Sequence, residues 1–284
     1  MNTIQNKDIL LCKKLTKKYG TSYFISTYFF PKDLREKTWV LYAFLRYPDE
    51  IVDTEEKDPN IARIRIQDWK NEWFKAYDGN DNVHPVLRAN ARLWKECGIP
   101  FEYSDVFLDT MLKDTEKNRY QNYKELEDYM YGSATVVGYM MSYIIGFEQG
   151  ALPYAKSLGE AFQLTNFIRD IQEDLNRGRI YIPQEDMDKY NVKEEDFKNK
   201  NMSKEMKDLI LYEIKRNEDL YNTAIKGVNL LNKPGRRAVY MALYLYKEII
   251  EQIKKNPERI WKERVRVPLI RKMYIIIKNF KTNE

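Results

Sequence analysis

Two segments of the sequence place aspartates four residues apart. Asp49 and Asp53 lie in the stretch RYPDEIVD, and Asp170 and Asp174 lie in the stretch IRDIQED. Residues at this spacing share one face of an α-helix, and two like charges on that face repel each other and weaken the helix. A single pair of this kind is usually a solvated acidic surface. Two pairs, each set among apolar residues, instead predict carboxylates that line a cavity and are balanced by positive charge.

Amide, phenol and guanidinium groups extend both acidic faces. At about 100° per residue, Tyr42 and Arg46 fall within an arc of about 60° that also holds the first aspartate pair. By the same count, Gln163, Asn166 and Arg177 fall within an arc of about 80° that holds the second pair. Amide groups are poor choices for a merely solvated face and good ones for holding a ligand. The two faces therefore predict a ligand site rather than open surface.

The donor set favours a hard divalent cation. Carboxylate and amide oxygens without Cys or His are typical of Mg²⁺ sites, with Mn²⁺ as an alternative ion. A di-iron carboxylate bundle needs several histidines, whereas His84 is the single histidine of the sequence. Mg²⁺ often completes its shell with phosphate oxygens, which Arg46, Arg169 and Arg177 also suit. The residues thus predict a diphosphate bound through Mg²⁺ beside an apolar, aromatic-rich cavity, as an isoprenoid diphosphate requires.

Helices must position these groups, and the composition favours them. The 284 residues include 22 Tyr, 12 Phe and 5 Trp but only 11 Gly and 10 Pro, a balance typical of helices with short connections. No Gly/Ser-rich linker divides the chain, so we predict one all-α domain over residues 1–284, folded around a central apolar cavity. Pro48 predicts a kink or local unwinding in the first acidic helix, and Gly178 predicts the end of the second. Periodicity predicts helices near residues 7–18, 22–30, 32–54, 60–78, 85–97, 101–117, 123–147, 152–177, 204–231, 235–255 and 264–280.

Charge and cysteine content bear on partners and compartment. Residues 254–284 hold ten Lys or Arg against three Glu, a charge of +7 in a chain of net charge +5. The plain interpretation is a solvated basic helix, and the alternative is peripheral attraction to an anionic membrane surface. No base-stacking motif accompanies the charge, so no nucleic-acid partner is expected. Two cysteines without CxxC spacing, no signal-type N-terminus and no bilayer-length apolar run lead us to expect a cytoplasmic protein.

The segments around both aspartate pairs resemble the squalene/phytoene synthase family, the head-to-head prenyl synthases. The family's first aspartate-rich motif is similar to LYAFLRYPDEIVD (41–53), and its second, with an RGR-x-Y-x-P exit, is similar to LGEAFQLTNFIRDIQEDLNRGRIYIP (158–183). Its central Tyr/Gly helix resembles YMYGSATVVG (129–138), although members often read AGTVG where this chain reads ATVVG. The resemblance runs over about residues 8–275. It implies an all-α bundle of the isoprenoid-synthase type.

The resemblance also implies a role for individual residues. Five positions match those that hold Mg²⁺ ions bridging diphosphate: Asp49, Asp53, Asn166, Asp170 and Asp174. Tyr129 and Tyr246 match tyrosines of the cavity and complete, with the four aspartates, the expected catalytic set.

Substrate contacts are implied in the same way. Matching positions are Tyr42, Arg46, Gln163, Arg169, Tyr246 and Arg264, and the position of Arg177 beside the second pair adds it to this set. The segment Tyr19, Gly20, Thr21 and Ser22 corresponds to a serine-rich turn beside the substrate. Only Ser22 of the two usual serines remains there, and Gly20 stands at the other position.

The implied reaction condenses two prenyl diphosphates head to head through a cyclopropyl diphosphate intermediate. We expect phytoene from two geranylgeranyl diphosphates, as in carotenoid biosynthesis; the alternative is a C30 synthase that makes dehydrosqualene or squalene from farnesyl diphosphate. No GxGxxG fingerprint occurs, and NADPH is not expected. A non-catalytic relative acting as an assembly factor would be expected to lose motif aspartates, and all four are present. Product length and oligomeric state stay open.

Overall fold

A computed structural model describes residues 4–51, 58–115 and 117–280, with the backbone alone for residues 21, 22, 279 and 280. Within these ranges the only β interaction is an isolated bridge between Phe147 and Leu231, so the all-α prediction is confirmed. None of the described helices is long and apolar enough to cross a membrane. The α-helices are α1 (Asn6–Tyr19), α2 (Thr21–Ser26), α3 (Lys32–Glu50), α4 (Pro59–Tyr77), α5 (Pro85–Cys97), α6 (Phe101–Asp114), α7 (Tyr123–Met130), α8 (Val136–Ile145), α9 (Leu152–Arg169), α10 (Ile171–Asn176), α11 (Gln184–Lys189), α12 (Glu194–Lys198), α13 (Lys204–Gly227), α14 (Lys233–Lys255), α15 (Arg259–Lys262) and α16 (Leu269–Phe280).

The helices form two compact units, and the first contains α1 to α6, α8 and the start of α14. Its core is aromatic: the Phe44 ring lies 4.8 Å from Trp73 and 5.4 Å from Trp94, centroid to centroid. The buried Asn90 amide donates to the Val40 carbonyl at 2.9 Å and joins α5 to α3. Because a buried polar group without a partner is costly, this bond fixes the position of α3, the helix that carries Asp49.

Helix α3 continues through Pro48 to Glu50. The predicted local unwinding is therefore absent as far as Glu50, and the predicted kink stays a prediction. Pro48 lies in the last turn, and Arg46 bonds to Asp49 and Glu50 across it. The last part of the predicted helix, with Asp53, lies outside the described residues.

The two cysteines are free, as expected from their spacing. Cys12 is fully buried, and burial raises the pKa of its thiol to about 12. Burial likewise raises the pKa of the half-buried Cys97 to about 11. Both thiols are protonated at neutral pH, which agrees with packing roles.

The second unit contains α7, α9 to α13, α15, α16 and most of α14, and its central contact is between α9 and α13. The Thr165 hydroxyl lies 2.7 Å from the Tyr221 hydroxyl, and the Asn217 amide donates to the Ala161 carbonyl at 2.7 Å. These buried bonds fix the register of α9, the helix that leads to the second aspartate pair.

Two predicted long helices are interrupted. The helix predicted over 152–177 breaks at Asp170, whose backbone angles (φ −102°, ψ 14°) are not those of an α-helix. The helix predicted over 123–147 contains a π-helical turn at residues 131–135. Gly159 packs there so closely that a Cβ on it would come within 2.6 Å of the Ala134 carbonyl oxygen. A tertiary contact of this kind leaves no signal in periodicity.

Candidate functional site

The second aspartate pair lies where α9 gives way to α10. Asn166 and Arg169 are in the last turn of α9, Asp170 lies at the break, and Asp174 is on α10. The Asp174 amide still donates to the Asp170 carbonyl at 2.9 Å, so helical bonding crosses the break. Only 13% of each carboxylate side chain is exposed.

The predicted cap at Gly178 is confirmed. Gly178 has a φ of +76°, its amide donates to the Leu175 carbonyl at 2.9 Å, and the Arg179 amide donates to the Asp174 carbonyl at 2.8 Å. This pair of bonds is a Schellman motif, which needs a left-handed residue at that point. The cap fixes the backbone of Asp174, while its carboxylate lies 4.0 Å from the Arg177 guanidinium.

Asp170 is held by two arginines. Arg169 Nε donates to Asp170 Oδ1 at 2.7 Å, and Arg264 Nη2 donates to Asp170 Oδ2 at 3.1 Å. Burial disfavours the charge of Arg169, but the hydrogen bond and charge of Asp170 outweigh it and raise the pKa of Arg169 above its ordinary value. Arg264 also donates to Glu173 at 3.4 Å. Two guanidinium groups therefore converge on one carboxylate, in an arrangement suited to oxyanions.

A small surface pocket of about 80 Å³ lies against this network. Arg169, Asp170 and Glu173 line it from one side, and Trp261 and Arg264 line it from the other. The pocket thus offers guanidinium groups together with an apolar indole.

Asn166 supplies an observation that bears on metal binding. Its Oδ1 is buried and has no hydrogen-bond partner among the described residues. A buried acceptor left without a partner is unfavourable, and a cation would satisfy it. No group of three His, Cys, Asp or Glu side chains able to hold a metal occurs in the described ranges. Mg²⁺ is commonly held by one or two carboxylates with phosphate oxygens, so Asn166, Asp170 and Asp174 fit that ion.

Aromatic rings pack against Phe162 and Phe167 of α9. The Tyr129 ring lies 5.8 Å from Tyr181 and 6.3 Å from Phe167, and Phe167 stacks on Tyr181 at 4.0 Å. The Tyr246 ring lies 4.5 Å from Phe162. Both predicted cavity tyrosines therefore belong to aromatic groups that include residues of α9. Gln163 is half-buried on the same helix.

The first aspartate motif is built around Arg46. Its guanidinium bonds to Asp49 and Glu50 at the end of α3. Burial lowers the pKa of Arg46, and the charges of Asp49, Tyr42 and Glu50 more than offset this, so the pKa is raised. Asp53 lies outside the described residues.

Gly20, just before α2, and Tyr23, within α2, both lie against Tyr42. Tyr42 stacks on Tyr23 with centroids 4.7 Å apart, and a Cβ on Gly20 would collide with the Tyr42 hydroxyl. The Gly20 position is thus explained by the close approach of Tyr42. Tyr19 is half-buried, and its hydroxyl accepts a bond from Lys18 at 2.7 Å. Thr21 and Ser22 begin α2, with side chains outside the described part.

Two carboxylates of the site were not predicted from the sequence. Glu50 pairs with Arg46, and Glu173 pairs with Arg264. The spacing of four residues between Arg46 and Glu50 could have indicated the first pair. No local signal connects Glu173 to a residue 91 positions away. The metal and substrate roles of the site residues, and the pairing of the two motifs in one site, stay predictions.

Comparison with known proteins finds similarity to prenyl synthases. The squalene/phytoene synthase family model matches residues 16–271. A 15-cis-phytoene synthase from Synechocystis is 30% identical over 280 residues, which cover 93% of this chain and 81% of that protein. A phytoene synthase from Arthrospira platensis is 29% identical over 281 residues, covering 93% and 89%.

Solved structures resemble most of the chain. A crystal structure of a dehydrosqualene synthase in complex with a ligand has a TM-score of 0.89 and 26% identity, covering 98% of each chain. A squalene synthase from Alicyclobacillus acidocaldarius has a TM-score of 0.80 and 24% identity, covering 88% of this chain and 94% of the other. The isoprenoid-synthase-type fold is therefore confirmed, while the single domain over 1–284 stays a prediction.

Proposed function

Because the chain belongs to the squalene/phytoene synthase family of head-to-head prenyltransferases, we propose that it converts two geranylgeranyl diphosphates into phytoene. The observation that carries the proposal is the convergence of Arg169 and Arg264 on Asp170, beside the unpartnered oxygen of Asn166. Relatives named phytoene synthases at 29–30% identity support the C40 product.

The arginines would receive the diphosphate group of the substrate. Their guanidinium donors now bond to Asp170, and diphosphate oxygens offer the same acceptor geometry with more charge. Arg46 on α3 is proposed for the same task in the first motif. Positive groups that meet the leaving group stabilise the charge that develops as it departs.

Mg²⁺ is proposed as the cofactor. The residues proposed to hold it are Asn166, Asp170 and Asp174, with Asp49 and Asp53 of the first motif. When bound, it would neutralise diphosphate charge and help the leaving group depart. The chain's own contribution there is three oxygen-bearing side chains at the turn from α9 to α10.

The reaction balances without a reductant. The allylic C–O bond of one molecule breaks, diphosphate leaves with the electron pair, and the double bond of the second molecule attacks the carbocation. Loss of a proton gives a cyclopropyl diphosphate; its own C–O cleavage, rearrangement and a second proton loss give phytoene. Released diphosphate accepts the protons, so no side chain has to be a strong base. NADPH would be needed only to finish squalene with a hydride.

Aromatic residues are proposed to protect the cation. Tyr129, Phe167 and Tyr181 form a cluster of rings, and aromatic faces attract positive charge. Tyr246 with Phe162 would act in the same way. A lining of this kind would also exclude water, which would otherwise capture the cation before coupling.

The alternative is a C30 synthase that uses farnesyl diphosphate. It is favoured by the TM-score of 0.89 to a dehydrosqualene synthase. Cavity depth would decide between the two products, since the substrates differ by one isoprene unit.

Incubation of the purified chain with Mg²⁺ and either geranylgeranyl or farnesyl diphosphate, with and without NADPH, tests the proposal. Phytoene from the C20 substrate, independent of NADPH, is expected. Dehydrosqualene or squalene from the C15 substrate alone would establish the alternative. Failure to form hydrocarbon from either substrate would overturn the enzymatic proposal and favour a non-catalytic family member.

A further inference from the structure

Helix α16 turns an apolar face to solvent. Five of its large apolar side chains have 51–83% of their surface exposed: Leu269, Ile270, Met273, Tyr274 and Ile277. They are five of the eleven exposed large apolar residues in the described part of the chain. At about 100° per residue they span an arc of about 140°. A contiguous exposed apolar face usually marks an interaction site.

The opposite side of α16 attaches it to its own unit. Ile275 lies opposite the centre of the exposed arc and is 6% exposed. Arg271 donates to Glu248 on α14 at 3.0 Å. These contacts hold the helix by one side, which leaves the apolar face directed outward.

Positive charge borders that face. By helical spacing, Lys272 lies on one flank of the apolar arc and Lys278 lies on the other. Residues 264–283 contain six Lys or Arg and no Asp or Glu. An apolar face between basic flanks is the pattern of helices that lie in the headgroup region of a bilayer.

We propose that α16 is a membrane-surface helix, which inserts its apolar face into the headgroup boundary of an anionic bilayer while Lys272 and Lys278 meet lipid phosphates. Its 12 residues correspond to about 18 Å, whereas a bilayer core is about 30 Å thick, so the helix lies in the surface plane. The basic charge of residues 254–284 alone predicts only electrostatic attraction to a membrane surface. The proposal adds insertion of the exposed apolar face of α16.

Charge complementarity favours lipid over a second copy of the chain. A twofold interface would bring the same face of two chains together. The basic flanks would then oppose each other without a carboxylate from residues 264–283 to balance them. Anionic lipid supplies that balance, and each basic residue adds to the attraction.

Flotation of the full chain with vesicles tests the apolar part of the proposal. We expect binding to phosphatidylcholine mixed with phosphatidylglycerol and little binding to phosphatidylcholine alone. The double substitution Ile270→Gln/Ile277→Gln should lower vesicle affinity about tenfold or more, because two apolar side chains no longer leave water. The matched control is Ile61→Gln/Ile64→Gln on α4, two isoleucines with 45% and 61% exposure, which should bind as the wild type does.

The basic part is tested in the same assay. Lys272→Gln/Lys278→Gln should weaken binding to the anionic vesicles and reduce its salt dependence, whereas Lys207→Gln/Lys226→Gln on α13 should not. Absence of binding by the wild type, or equal binding by the Ile270→Gln/Ile277→Gln variant, would overturn the proposal. Light scattering tests self-association as the alternative. If the wild type is a dimer and the Ile270→Gln/Ile277→Gln variant is a monomer, the apolar face is a self-association surface instead.

Discussion

Arg264 donates to the carboxylate of Asp170 at 3.1 Å, across 94 positions of sequence. The same carboxylate already accepts a bond from its neighbour Arg169. Both arginines therefore meet at a carboxylate that we propose as a ligand of Mg²⁺ and the substrate diphosphate. On the proposed function, substrate binding would exchange the Asp170 carboxylate for diphosphate oxygens at these guanidinium groups.

Asp170→Asn should lower hydrocarbon formation about 100- to 1000-fold, as loss of one preorganised electrostatic contact does elsewhere. The substitution keeps the shape of the side chain and removes the charge that binds Arg169 and the proposed cation. Turnover is measured by hydrocarbon analysis, and circular dichroism verifies the fold. Asp219→Asn is the matched control, because Asp219 is an exposed aspartate on α13 paired with Lys215. Wild-type turnover in Asp170→Asn would contradict the site assignment.

Arg264→Lys should raise KM for the prenyl diphosphate about tenfold with a smaller effect on kcat. Lysine retains the charge but lacks the fork that now reaches both Asp170 and Glu173. A contact made equally in the bound substrate and the transition state appears mainly in KM. Steady-state kinetics measure it, with Arg266→Lys, at an exposed arginine two residues further on, as the control. Unchanged KM would show that Arg264 does not reach the diphosphate.

The fold was largely predictable because half of the described α-helices are long and periodic. Burial of one helical face repeats every three to four residues, and the helices of 13 or more residues show it. The exceptions depend on tertiary contacts. Arg169 and Arg264 both donate to Asp170 at the break, and the π turn packs against Gly159. Helix α16 begins at Leu269 rather than near residue 264, because Pro268 precedes it. The helices α11, α12 and α15, of four to six residues, are too short for periodicity to indicate.

Less of the candidate site than of the fold could be predicted from the sequence. Spacing alone placed Asp170 and Asp174 with Asn166, because neighbours on a helix are fixed by its geometry. The role of Arg264 came from family resemblance, since nothing in a local pattern connects it to α9. Its bond to Glu173 depends on how two long side chains extend, which a sequence does not specify.

Asn166→Ala should weaken binding of Mg²⁺ with inorganic diphosphate about tenfold. In the wild type, Mg²⁺ together with inorganic diphosphate should raise Tm. A ligand at about 100 times its Kd stabilises a protein by about 2.7 kcal/mol. EDTA should reverse the shift. Thermal unfolding measures both effects without any turnover, and Asn222→Ala, at an exposed asparagine on α13, is the control. An equal Tm shift in Asn166→Ala would show that its buried oxygen has no part in the site.

Gly159→Ala should destabilise the protein by about 1–3 kcal/mol, the usual effect of overpacking. The new Cβ would lie 2.6 Å from the Ala134 carbonyl oxygen, and backbone in the π turn cannot move away as a flexible side chain could. Alanine favours a helix over glycine by about 1 kcal/mol, so without the clash the substitution would stabilise. Urea unfolding at constant pH distinguishes the two signs. A more stable variant would show that α9 and the π turn do not approach this closely.

The free energy of unfolding should fall as pH rises from about 4.5 to about 7, because over that range the unfolded chain loses a proton that Glu213 keeps in the folded state. Burial, opposed by the charge of Arg216 and aided by that of Asp186, raises the pKa of Glu213 from 4.5 to about 7. The folded state then keeps a proton that the unfolded chain has lost, so the stabilisation is complete below the unfolded pKa and is lost as pH passes the folded pKa. Glu213→Gln should flatten this part of the profile by about 1–3 kcal/mol, because Arg216 keeps its 2.9 Å bond to Asp186. The measurement is the free energy of unfolding in urea at several pH values, with Glu218→Gln on the same helix as control. A variant whose profile is as steep as that of the wild type would show that another group carries the titration.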